Sequence, residues 1–187
     1  MNAKPILAAC SFAFAAALPL SVLAGPAVVI EPVKAQVDRN WLYDLKDSRA
    51  KAGAISESDV RRIADEMAAS LQTELEKALR AQGFDVVSGG AGAVRLAARI
   101  DDLKVNAPDS QAAGVRSFTR EAGRATLRAE ARDAGGAVVL KTEERADAGD
   151  PGARLQRSSD VNNRFWFDAL FRDWAAGVAR ELKAKAR

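Results

Sequence analysis

The chain contains no histidine, and its single cysteine, Cys10, lies close to the N-terminus. Without an imidazole, and with no thiol beyond Cys10, Ser-His-Asp and Cys-His nucleophiles, histidine general bases and zinc sites built from His or Cys are excluded. A single cysteine also rules out an internal disulfide. Aromatic residues are scarce, with one tyrosine (Tyr43) and three tryptophans. Charge of one sign is lacking too, because 28 basic residues stand against 25 acidic ones and no run of five or six like charges occurs. Neither a nucleic-acid arm nor a polybasic membrane patch is therefore expected. Carboxylates, lysine, Tyr43, serine and threonine remain for chemistry. Carboxylate pairs hydrolyse glycosides, yet most routes to catalysis are closed, and neither enzymatic activity nor a cofactor nor a metal is expected.

What is present begins with an address. Lys4 supplies a positive start, Ile6 to Leu23 is almost wholly apolar, and Val22-Leu23-Ala24 ends that run with small residues. These are the three regions of a secretory signal, too short and too abruptly ended for a membrane span. Residues 1–24 are read as a signal cleaved after Ala24, which places residues 25–187 in the periplasm as a single domain. Leu7-Ala8-Ala9-Cys10 also has the form of a lipobox, whose cysteine would carry lipid. The apolar chain beyond it, through Phe12 and Phe14, favours soluble cleavage instead.

Periodicity then predicts the elements. Ala27 to Val33 is β-rich, with Pro32 suited to a strand end. A polar loop, residues 38–55, carries Trp41 and Tyr43. Ser56 with Asp59 forms a loose capping box before an amphipathic helix with Val60, Ile63, Met67, Leu71, Leu75, Ala78 and Leu79 on one face. Gly83 closes that helix in a left-handed cap, with Phe84 folding back towards Leu79. Strands follow at Phe84–Val87, Ala93–Val105, Arg124–Arg132 and Val138–Arg145. In the second of these, Leu103 and Val105 fall out of phase with Leu96 and Ile100, which predicts a bulge near Asp101-Asp102. Asp133-Ala134-Gly135-Gly136 is a hairpin turn, and Asp147 to Gly152 reads as a loop. A final helix carries Phe167, Leu170, Phe171, Trp174, Val178 and Leu182 on one face. The expected fold is an α+β two-layer sandwich of order β-α-β-β-β-β-α. One mostly antiparallel sheet of about five strands has two helices packed on one face.

Such an arrangement leaves the other sheet face open. If the third, fourth and fifth strands are neighbours, Arg95, Arg99, Arg124, Arg128, Arg132, Lys141 and Arg145 share it, with Asp101, Glu130 and Glu143 among them. It reads either as a docking surface for an acidic envelope partner or as a solvated face with ordinary cross-strand charge pairs. Trp41 and Tyr43 sit in the loop, and Phe165 and Trp166 lie off the core stripe of the last helix, positions where aromatics serve as interface anchors or cap a small core. Asp101-Asp102 and Glu143-Glu144 are adjacent carboxylates, and neighbours on a strand point to opposite faces, so neither pair is expected to converge on a substrate. Ser88-Gly89-Gly90-Ala91-Gly92 lacks the Lys-Ser/Thr of a phosphate loop and precedes a strand; it is a turn.

Two segments are distinctive: Ile100 to Asp109, containing Val105-Asn106-Ala107-Pro108-Asp109, and Glu121 to Asp133, opening with Ala122-Gly123-Arg124. With the Val28–Val33 strand, Trp41 and Trp174, they resemble the bacterial envelope proteins of domain-of-unknown-function family 3313. The likeness spans nearly the whole chain after Ala24. It implies an exported or lipoprotein-like protein with no assigned activity, though the chain departs from that pattern in lacking a cysteine near the expected mature N-terminus. The expectation is thus a periplasmic accessory or binding domain acting through contacts with an envelope protein or acidic polymer. Two alternatives are a carboxylate-dependent hydrolase of envelope polymers and a lipid-anchored outer-membrane structural component.

Overall fold

A computed structural model describes residues 25–39, 56–106, 118–149, 156–157 and 159–185. The strands are β1 (Ala27–Ile30), β2 (Lys34–Val37), β3 (Asp85–Val86), β4 (Val94–Val105), β5 (Phe118–Thr119), β6 (Glu121–Arg132), β7 (Val138–Gly149) and β8 (Gln156–Arg157). The helices are α1 (Glu57–Ala81) and α2 (Asp160–Lys185). The main sheet runs β3-β1-β4-β6-β7, with β2 also paired to β4, and β5 and β8 form a separate two-stranded ribbon. Trp41, Tyr43 and Cys10, like the predicted signal and most of the 38–55 loop, lie outside the described residues.

The α+β sandwich predicted from periodicity is the fold, with a more mixed sheet than expected. β4, β6 and β7 are antiparallel neighbours, whereas β1 and β2 run parallel to β4 and β3 runs parallel to β1. The first strand splits in two. Glu31, Pro32 and Val33 interrupt it, Pro32 having no N–H to give a ladder, and the chain resumes as β2 farther along β4. β2, β5 and β8 were not anticipated, and β7 continues through Asp147 and Gly149, where a loop was expected.

Helix α1 starts and stops as its sequence dictates. The Ser56 hydroxyl accepts from the Asp59 N–H, and the Asp59 carboxylate accepts from the Ser56 N–H. At the other end, the Gly83 N–H donates to Arg80 O and the Phe84 N–H to Leu79 O, with Gly83 at φ +87°. That is a Schellman cap, which satisfies the helix's last carbonyls. Ser159 begins α2, its hydroxyl accepting from the Asn162 N–H at 3.3 Å.

One core lies between the layers. Ile63, Met67, Leu71, Leu75 and Leu79 of α1 and Phe167, Phe171, Trp174, Val178 and Leu182 of α2 cover Leu96, Ile100, Leu103, Leu127 and Leu140 of the sheet. Ala98, Ala125, Ala129 and Ala131 lie among them, leaving room for the large helical side chains. The Ser70 hydroxyl donates to Asp168 Oδ1 at 2.5 Å and ties the helices together.

The predicted bulge is real and explains the phase change in β4. Asp101 lies opposite Thr126 and Lys104 opposite Arg124, so Asp102 and Leu103 together face the single residue Ala125. Asp102 takes φ +51°. The extra residue returns Leu103 and Val105 to the core. β6 answers with Gly123 (φ +155°), where an added Cβ would stand 1.9 Å from Lys104 O. Only glycine fits so close to the neighbouring backbone.

Candidate functional site: the open sheet face

The face turned away from the helices is built from alternate residues of three long strands. Arg95, Arg99, Arg124, Arg128, Arg132 and Arg145, the six arginines predicted to share a surface, do share it, and Lys141 lies there too. Register adds a feature that periodicity does not reveal. Arg95 stands opposite Arg132, Arg99 opposite Arg128, and Lys104 opposite Arg124. Three cation pairs therefore run along the β4–β6 seam, four or five residues apart, or about 13–17 Å at the usual strand rise. Like charges directly opposite one another destabilise a sheet.

Carboxylates offset part of this. Asp101 Oδ2 lies 3.1 Å from Arg99 Nε and 2.8 Å from Arg128 Nη1. Glu143 on β7 accepts from Arg128 Nη2 at 3.1 Å, and its Oε2 is 2.9 Å from Arg128 Nε. That last N–H is not aligned on an acceptor, so it is buried without a hydrogen bond despite the short ion pair. The Glu143 hydrogen bond, opposed by desolvation and assisted by the charges of Glu143, Asp101 and Asp102, raises the Arg128 pKa above its ordinary value. Arg124 Nε lies 3.4 Å from Asp147 Oδ1. Arg132 pairs with Glu130 and donates to Gly136 O at 3.0 Å. Arg95 and Lys104 form no ion pair among the described residues.

At the centre, Ala97 is short while its neighbours are long. A shallow depression of about 450 Å³ forms there, bordered by Lys34, Arg99, Arg128, Lys141, Glu31, Glu130 and Glu143. Lys34 reaches this face because β2 pairs with β4 opposite Arg99, and it was missed because β2 was missed. Lys104 was missed because the bulge shifts its phase; a count of alternation beyond Asp102 would have found it.

One sequence expectation is corrected. Asp101 and Asp102 do not point to opposite faces. The bulge brings Asp102 to the open side, where its Oδ2 accepts from the Thr126 hydroxyl at 3.2 Å, and Thr126 is the residue opposite Asp101. The two carboxylates share a surface but have different partners, two guanidiniums for Asp101 and a hydroxyl for Asp102. Glu143 and Glu144 do diverge: Glu143 joins the open face, and Glu144 lies opposite the buried Leu127 and beside α2.

Trp166 is on another surface. It is half-buried on α2 against the core and meets the Phe165 ring edge-on at 5.2 Å. Phe165 itself is 62% exposed and, with Val161, borders a separate hollow between the helices. Among the described residues no group of three or more His, Cys, Asp or Glu could hold a metal ion, and no helix is long and apolar enough to cross a membrane.

No family model matches the chain, and no curated protein matches it. Among solved structures it is similar to a PelC dodecamer from Paraburkholderia phytofirmans, at 13% identity over 86% of this chain and 88% of that one (TM-score 0.46). It is also similar to an uncharacterized protein at 10% identity, covering 84% and 98% of the two chains (TM-score 0.41). A third likeness is to a neuraminyllactose-binding hemagglutinin homolog from Helicobacter pylori, at 11% identity over 85% and 86% (TM-score 0.38).

Proposed function

We propose that the chain is an exported accessory domain of the bacterial envelope that docks an acidic partner, protein or polymer, on its open sheet face, without catalysis. The observation that carries this reading is the seam of opposed cations, Arg95 with Arg132, Arg99 with Arg128 and Lys104 with Arg124. A sheet evolving only for stability would alternate signs there, because unlike pairs are favourable and like pairs are not. An anionic ligand lying along β4 and β6 would turn that cost into binding energy, with arginine forks suited to carboxylate or phosphate. The carboxylates on this face support the non-catalytic part of the reading. Asp101, Glu130 and Glu143 are each committed to an arginine rather than to a facing acid. The apolar run ending at Ala24 and the resemblance to family 3313 support the location.

The test reverses the two seam cations that form no ion pair among the described residues, Arg95 and Lys104. Arg95→Glu with Lys104→Glu should abolish low-salt retention on a carboxylate- or phosphate-bearing polymer if the partner is a polymer. If the partner is an acidic protein, the same change should remove one species from the crosslinked set in intact cells. Unchanged retention together with an unchanged crosslinked set defeats the proposal.

A further inference from the structure

Strand β7 ends the main sheet and, among the described residues, pairs with β6 alone. Its twelve residues thus present a row of backbone donors and acceptors on the outer edge, the kind of edge that sheet proteins cover or blunt. Its open-face side chains alternate in sign: Lys141, Glu143, Arg145, Asp147. Within the chain, Glu143 and Asp147 pair with Arg128 and Arg124, while Lys141 and Arg145 form no ion pair among the described residues.

We infer that β7 is a self-association edge whose occupant is β7 of a second copy, antiparallel and centred on Glu144. In that register Lys141 lies opposite Asp147 of the other copy and Glu143 opposite its Arg145, so every charged residue of β7 on the open face meets the opposite sign. Shifting the centre by one residue to Glu143 sets Lys141 against Arg145 and loses the match. On the inner face, Leu140 meets Ala148 and Thr142 meets Ala146. The two copies of Glu144 meet at the axis, and Arg180 on α2, which lines the same groove as Glu144, is at hand as a counter-charge. Arg180 also forms no ion pair among the described residues. Pairing would extend one six-stranded sheet into a continuous double sheet with both open faces on the same side. This inference concerns the sheet edge and stands whether or not the open face binds an acid.

Two experiments test it on the chain as recovered from expressing cells. In a Cys10→Ser background, Glu144→Cys places a thiol at the two-fold axis, where directly opposed strand residues sit at disulfide distance. Mild oxidation should yield a covalent dimer. Val138→Cys, about 40 Å from its counterpart in this register by strand rise, should yield none. No dimer at position 144, or equal crosslinking at position 138, overturns the inference. Independently, sedimentation at low salt should show a reversible dimer that Lys141→Glu with Arg145→Glu weakens by about tenfold or more, as expected for several reversed cross-strand pairs. Adding Glu143→Lys and Asp147→Lys restores complementarity, so the fully swapped chain should associate with itself and not with the unaltered chain. A monomeric unaltered chain, or association indifferent to the double reversal, also overturns it. Circular dichroism checks that each variant is folded.

Discussion

Arg99 and Arg128 stand directly opposite each other on neighbouring strands, and Asp101 Oδ2 lies within reach of both, at 3.1 and 2.8 Å. Asp101 acts as the shared anion of a like-charged pair, and its side chain is only 16% exposed. Asp101→Asn keeps the shape and removes the charge, leaving two guanidiniums facing each other across the seam. The urea midpoint should fall, and by more at low salt than at high salt, because screening weakens exposed repulsion. A loss independent of salt would mean that packing, not charge, is what Asp101 contributes.

Gly123 is the backbone counterpart of the bulge. An added Cβ would fall 1.9 Å from Lys104 O and 3.0 Å from Phe167 Cζ, at a φ that disfavours other residues. Gly123→Ala should cost about 3 kcal/mol or more of unfolding free energy, from strain together with a forced strand separation. Urea denaturation measures it. Gly136→Ala at the hairpin turn has open space around its Cβ position and should cost clearly less.

The alanines of β6 set the distance between sheet and helices. Ala129 is 3% exposed on the inner face, opposite Ala98 and Thr142. Ala129→Leu should lower stability by about 1–3 kcal/mol through overpacking, whereas Leu127→Ala two positions away should cost about 2–5 kcal/mol through a cavity. If Ala129→Leu stabilises the protein, the layers do not pack as closely as the burial of the alanines indicates.

The first turn of α1 carries an acid-sensitive cap. The Ser56 side-chain hydrogen bond, and after it the Ser56 backbone N–H, lower the Asp59 pKa from its ordinary 3.8. A carboxylate with a depressed folded pKa contributes stability that is fully present above its unfolded value. That contribution is lost as pH falls through the folded value. Protection factors of the first-turn amides of α1, which correct for the intrinsic slowing of exchange in acid, should therefore fall as pH drops below the ordinary 3.8. Ser56→Ala should return the Asp59 titration, followed by NMR, towards 3.8; an unmoved titration would show that the serine is not its cause.

Much of the architecture was legible in the chain because local rules coincide with the tertiary outcome. Ser56 with Asp59, and Gly83 with Phe84, mark the ends of α1 through caps that need no distant partner. The alternation in β6 and the stripe of α2 name their buried faces, and the slip at Leu103 betrays a bulge because an apolar side chain must return to the core. β2 escaped notice because four residues, Lys34 to Val37, offer too little pattern and are held by pairing with β4. The parallel arrangement of β1, β2 and β3 is likewise a property of crossover geometry, which no local pattern encodes.

The sequence alone determined which residue types were present to do chemistry, that the arginines of β4 and β6 lie on alternating positions, and where helices begin and end. These follow from composition, backbone sterics and short-range hydrogen bonding. Only the tertiary structure decided that Arg95, Arg99 and Lys104 meet other cations across the seam, that Asp101 and Asp102 share a face, and that, among the described residues, β7 is left at an edge. Those depend on strand register and order, which arise from contacts between residues far apart in the chain.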